Sequence, residues 1–257
     1  MSYVLGIPFN IVASSIFDSS SLAGIYVPRV VTVIGPAVAA TVVARAGGGV
    51  ISVSRLFGSL RLHVGDVRWI ASAAAIALVS ASTAFVLAGL PATKLVELLT
   101  THAPLLFGNV LIQVIVIGVG EELGWRGWLL PTLSVRRTFL AATALTGFVW
   151  ALWHLPIFFS GLSTAMSFTV LVASTAIAFS WLWHRTAGST GVIALAHGFV
   201  NAPFSFLEQL VRPMPDGAAV AGRAFAYFAA CCSVVALALA INGRRIWRDR
   251  GVTGPRE

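Results

Sequence analysis

Two adjacent carboxylates stand inside an apolar stretch. Gly120-Glu121-Glu122-Leu123-Gly124-Trp125-Arg126 follows the run Val110 to Val119, which only Gln113 and Gly118 interrupt. Of the nine acidic residues, the other seven lie in polar segments or near a terminus. An ionisable side chain at membrane depth costs a few kcal/mol to insert, so it marks a functional site by default. Two neighbouring carboxylates add mutual repulsion to that cost. Arg126 lies at i+4 from Glu122, where a helix lets the pair meet and neutralise. Glu121 points to another face and has no obvious partner in sequence. A carboxylate of this kind can serve as a general base. The structural alternative is an ion pair that holds two helices together.

The elements around this pair are hydrophobic throughout. The chain of 257 residues is 58% hydrophobic and only 10% charged, against roughly a quarter charged in soluble domains. Several apolar runs approach the ~20 residues that span ~30 Å of hydrocarbon. The expectation is a single all-α integral membrane domain over 1–257, a polytopic bundle of seven to eight transmembrane spans. The expected spans are 27–44, 69–90, 105–130, 139–159, 165–183, 192–207 and 225–241, with 3–17 as an eighth or a surface helix. Arg45 to Arg68 reads as a polar loop with an amphipathic piece, Lys94 to His102 as a short polar stretch, and Gly188-Ser189-Thr190-Gly191 as a loop. Adjacent Cys231 and Cys232 read as small core residues.

The net charge of +8 invites a nucleic-acid reading, but the arginines sort by side. With the loop around Arg45 to Arg68 in the cytoplasm, alternation collects most of the 17 basic residues on that side. Those left over are Arg29, Lys94, Arg212 and Arg223. This follows the positive-inside rule and puts the C-terminus in the cytoplasm. The basic balance therefore reads as orientation signal, with the lipid bilayer as partner and no nucleic acid.

Two of the five histidines, His154 and His197, fall inside spans. Glu121 precedes Arg136 by 15 residues and His154 follows Arg137 by 17. At ~1.5 Å per residue, an antiparallel hairpin brings both to one level, roughly 22 to 26 Å from the turn. Asn201, at i+4 from His197, shares its face. Glu121, His154, His197 and Asn201 are thus expected to converge on one intramembrane cavity.

In this order and at this depth, the residues resemble the three motifs of the CPBP family, also called Abi. That family holds the Rce-type CAAX prenyl proteases and bacteriocin-processing and self-immunity proteins. The motifs are Glu121-Glu122-x-x-x-Arg126, Trp150-x-x-x-His154 and His197-x-x-x-Asn201, within 121–201. The second usually carries Phe where Trp150 stands, so the aromatic is kept. The resemblance implies an intramembrane endopeptidase acting on a membrane-associated protein or peptide. Glu121 would activate the attacking water, with Glu122, Arg126 and Trp150 supporting the site. His154, His197 and Asn201 would bind the oxyanion or orient the water. Hydrolysis needs both a base within reach of water and fixed donors for the developing oxyanion.

Zinc chemistry could use Glu121, His154 and His197 as two imidazoles and a carboxylate, leaving a water position. The chain lacks His-Glu-x-x-His, and Asn201 suits an oxyanion better than zinc. Catalysis without a cofactor is the favoured expectation. The rival classes are a non-catalytic peptide-binding or immunity protein and a proton-coupled transporter. The transporter reading lacks the inverted repeats and paired broken helices of that class.

Overall fold

The computed structural model describes residues 22–47 and 50–249, with side chains described from residue 33 onward. The expected segment 3–17 lies outside the described residues. The described chain is helical, with no strand among its elements. Its nine helices are α1 (Leu22–Arg45), α2 (Val53–Gly58), α3 (Val67–Leu87), α4 (Ala92–Thr101), α5 (Ala103–Ser134), α6 (Phe139–Trp153), α7 (Leu162–Arg185), α8 (Thr190–Val211) and α9 (Gly217–Asn242). Five of them, including a stretch running into α3, are long and apolar enough to cross a membrane by length and composition. This is an integral, multi-pass membrane protein.

Local chemistry sets the helix ends. Thr138 caps α6 by accepting from the Ala141 N–H at 3.3 Å, and Ser189 caps α8 by accepting from Val192 N–H at 3.3 Å. These hydroxyls satisfy N–H groups that a helix start leaves orphaned. α7 closes with Ala187 and Gly188 at positive φ (50° and 87°). There the Gly188 N–H donates to Trp183 O at 2.8 Å, the 6→1 bond of a Schellman ending.

Several expected boundaries shift. Lys94 to His102 is not an irregular polar stretch: its core lies in the amphipathic helix α4, where Lys94 Nζ meets Glu97 Oε1 at 2.6 Å. The span expected over 139–159 stops as α-helix at Trp153. His154 leaves helical geometry (φ −101°, ψ 26°) and a 3-10 turn, Leu155–Phe159, follows with Pro156 near its start. Proline cannot donate into the preceding turn. Thr190 and Gly191 belong to α8 rather than to a loop.

Helix α8 is central. Almost three-quarters of its apolar window is buried inside the protein, against a third or less for the other four long spans. It packs on α3 and α5, while α7 and α9 pack together and α1 lies along Val119–Gly124 of α5. Small residues make these approaches possible. A Cβ at Gly118 would overlap Ala194 of α8, and one at Gly198 would overlap Val114 of α5. The pair Gly120 and Gly124 does the same for α1, facing Val33 and Pro36.

Helix α5 is not α-helical throughout. Gln113–Gly118 and Trp125–Leu129 are π-helical, and the α-helical turn Val119–Gly124 between them holds both glutamates. A π segment widens the turn and resets which face the following residues present. Such segments concentrate at functional sites.

Candidate active site

Glu121 and Glu122 are buried to 2% and 0% exposure, so their partners decide what each can do. Glu122 receives Arg126: the Nη1 nitrogen stands 3.0 Å from both carboxylate oxygens. The i+4 pairing read from sequence is therefore formed, but by one nitrogen rather than by the planar fork. Arg126 Nε and Nη2 have no hydrogen-bond partner among the described residues. The guanidinium instead stacks over Trp150 (4.8 Å to the ring centre) and Phe179 (5.2 Å), an attraction that grows in a desolvated site.

Glu122 holds a second group. His197 Nδ1 lies 2.8 Å from Glu122 Oε1. A carboxylate accepts, so Nδ1 carries the proton and the ring tautomer is fixed. Arg126, Glu122 and His197 thus form one buried chain from α5 to α8.

Glu121 is partnered too, in a way the sequence reading missed. The indole N–H groups of Trp150 and Trp125 both donate to its Oε2, at 2.7 and 3.2 Å. Among the described residues no arginine pairs with it; His154 does stand close, with Nε2 4.0 Å from Oε1. His154 Nδ1 lies 3.0 Å from the carbonyl of Trp150. A carbonyl only accepts, so Nδ1 is protonated and Nε2 of the neutral ring is a bare acceptor. At 4.0 Å, Oε1 and Nε2 are too far apart for a direct bond and suitably spaced to share one water. Such a water would donate one proton to each and turn its lone pairs to the open side.

A cavity of about 570 Å³ opens at this point, and Glu121, Trp150, His154, His197 and Asn201 all line it. The expected convergence of these residues is what the fold delivers: α5, α6 and α8 each contribute. Helix α6 ends where it does because His154 is its cap, which places the imidazole at the level of Glu121. Phe168 and Val172 of α7 close one wall. Asn201 Nδ2 donates to Gln113 Oε1 at 3.4 Å. Gln113 reaches Ser205 Oγ at 3.4 Å, and Asn109 reaches the same hydroxyl at 3.0 Å. A row of buried amides therefore fixes Asn201 from behind, along the seam between α5 and α8.

With Nδ1 given to Trp150 O, the uncharged form of the His154 ring has no second N–H and offers Nε2 as an acceptor, which suits the water-orienting one of its two expected roles. For the zinc alternative, no group of three His, Cys, Asp or Glu side chains among the described residues is arranged to hold a metal. His197 has its Nδ1 bound to Glu122, which leaves Nε2 as its other ring nitrogen. The sequence did hold signals for the missed residues: Trp125 is at i+4 from Glu121, and Gln113 is the polar break in the run before it.

A helical membrane bundle with carboxylates, imidazoles and an amide lining a buried cavity defines a class, that of intramembrane proteins with a sunken polar site. Residues 103–203, from the start of α5 into α8, match the family described as type II CAAX prenyl endopeptidase, Rce1-like. CAAX prenyl protease 2 of Methanococcus maripaludis is 26% identical over 106 residues, covering 37% of this chain and 39% of the relative. The chain thus spans less than half the length of that curated relative. Both findings are likenesses to that family over part of the chain.

Proposed function

We propose that this protein is an intramembrane endopeptidase that hydrolyses a peptide bond of a membrane-associated polypeptide with water activated by Glu121. The observation that carries the reading is the 4.0 Å gap between Glu121 Oε1 and His154 Nε2 on the cavity wall. Protein groups and water carry every step. A water held there attacks the scissile carbonyl carbon as Glu121 Oε1 takes one of its protons. His154 Nε2 accepts the other O–H and aims the nucleophile. The carbonyl oxygen becomes an oxyanion facing Asn201, whose amide has a second N–H beyond the one given to Gln113. His197, held at Nδ1 by Glu122, lines the same cavity beside Asn201. The proton on Glu121 then passes to the departing nitrogen, the C–N bond breaks, and a carboxylic acid and an amine are released.

The relative's name, a CAAX prenyl protease, supports a membrane-associated substrate with a lipid-modified C-terminus. The arginine bias further supports a cytoplasmic C-terminus. Thiol labelling of Arg137→Cys from the inside and Pro215→Cys from the outside, in a background lacking Cys231 and Cys232, tests that orientation; the reverse pattern overturns it.

The activity is tested by mapping new protein N-termini in membranes from cells that express the native chain or Glu121→Gln. Cleavage sites present only with the native chain are expected. An identical set of termini in both would leave a peptide-binding protein without hydrolysis.

A further inference from the structure

Why do two adjacent carboxylates on one turn of α5 end up with different partners? Glu122 takes the cation and an imidazole. Among the described residues, Glu121 takes neutral donors, two indole N–H groups on the same oxygen. An indole nitrogen donates and cannot accept, so it can fix a carboxylate without ever competing for the proton that the carboxylate must collect. An arginine in that place would hold the group as an ion pair instead.

Resting on the glutamate-base reading, we infer that Trp125 and Trp150 form an indole clamp that assigns the two glutamates their tasks, with Trp125 a positioning residue for the reaction. The clamp holds Oε2 and leaves Oε1 as the oxygen that faces His154 and the water position. Both rings are themselves immobilised. Trp125 is 7% exposed and meets Trp153 edge-on at 6.0 Å. Trp150 is 4% exposed and packs against the Arg126 guanidinium and the rings of His197 (5.5 Å) and Phe179 (6.1 Å). The donors come from two helices: Trp125 lies on α5, one turn beyond Glu121, and Trp150 on α6. Loosening either would free the carboxylate to swing about its own side-chain torsions. A misplaced reacting group costs rate out of proportion to the distance moved.

The test removes the N–H and keeps the ring. Trp125→3-benzothienylalanine and Trp150→3-benzothienylalanine replace the indole nitrogen by sulfur at nearly constant shape. Each is expected to lower kcat on the order of tenfold, the scale of one hydrogen bond to a charged group, with KM and melting temperature unchanged. Trp125→Phe should show the same kcat loss. The antisymmetric carboxylate stretch of Glu121, isolated as the infrared difference between each protein and its Glu121→Gln counterpart, should shift in both isosteric variants. Wild-type kcat and an unshifted band in those variants would reduce the indoles to packing and overturn the clamp, even with Glu121→Gln inactive. A shifted band together with an active Glu121→Gln would instead break the base reading on which the clamp's catalytic role rests.

Discussion

His197 Nδ1 and Glu122 Oε1 stand 2.8 Å apart across 75 residues of sequence, and the same carboxylate takes Arg126 Nη1 at 3.0 Å. Glu122 therefore joins α5 to α8 through buried side chains. Glu121, one residue away, meets no arginine or lysine among the described residues. The two glutamates differ in what they stabilise, although the sequence writes them as a pair.

That difference separates two conservative substitutions. Glu122→Gln leaves Arg126 buried with no counter-charge, and breaking one side of a buried pair costs about 3–5 kcal/mol. It should sharply reduce folded yield and melting temperature in detergent. Glu121→Gln keeps an oxygen for the two indoles and should melt as the native protein does. Equal stability of both variants would refute the division of labour.

Arg126→Lys tests what the guanidinium contributes beyond its charge. A lysine could supply the single nitrogen that Glu122 uses, so a lost fork explains nothing here. What lysine cannot replace is the flat stack on Trp150 and Phe179, worth about 0.5–2 kcal/mol. A fall in melting temperature with an accompanying loss of activity is expected. Wild-type behaviour in both would mean the stack is incidental.

The seam between α5 and α8 depends on missing side chains. Gly118→Ala and Gly198→Ala would each press a methyl into the opposing helix, at Ala194 and Val114. Overpacking of this kind costs about 1–3 kcal/mol, and here it would also displace Asn201 from Gln113. Gly222→Ala, on α9 with nothing within 4 Å, is the matched control and should be neutral or slightly stabilising. Thermal melts of the three variants check the ordering.

Metal dependence is checked by exhaustive chelation of the purified protein. Activity is expected to persist, with no stoichiometric zinc by elemental analysis. Loss on chelation and recovery with zinc would convert Glu121, His154 and His197 from base and orienting groups into ligands.

How much of this was legible in the sequence follows from cost. Glu121, Glu122, Arg126, His154 and His197 are expensive inside a bilayer, so their presence in apolar runs already announced a site. Simple rise-per-residue arithmetic placed Glu121 and His154 at one level, and they stand 4.0 Å apart. The i+4 spacing of Trp125 from Glu121 was visible, but an indole in an apolar span looks like packing until its N–H is seen to meet a carboxylate. Gln113 and Asn109 were hidden for a similar reason: an amide gives no periodic signal, and its partner Ser205 lies some 90 residues away in sequence. The π segments of α5 escape any pattern based on a fixed turn of 3.6 residues. The early end of α6 was marked by Pro156, but hydropathy alone runs on through Phe159. In α4, the Lys94–Glu97 pair made an amphipathic helix read as a polar stretch.

The central claim, that Glu121 takes a proton from the attacking water, has a direct measurement. A peptide spanning a cleavage site found by the N-terminal mapping is given to native and Glu121→Gln proteins reconstituted in the same lipid, and initial rates are compared. General-base catalysis contributes on the order of 10²- to 10⁴-fold. The account predicts a loss in that range or greater, in a variant with native melting behaviour and native peptide affinity. A Glu121→Gln protein that cleaves within a few-fold of the native rate would contradict it.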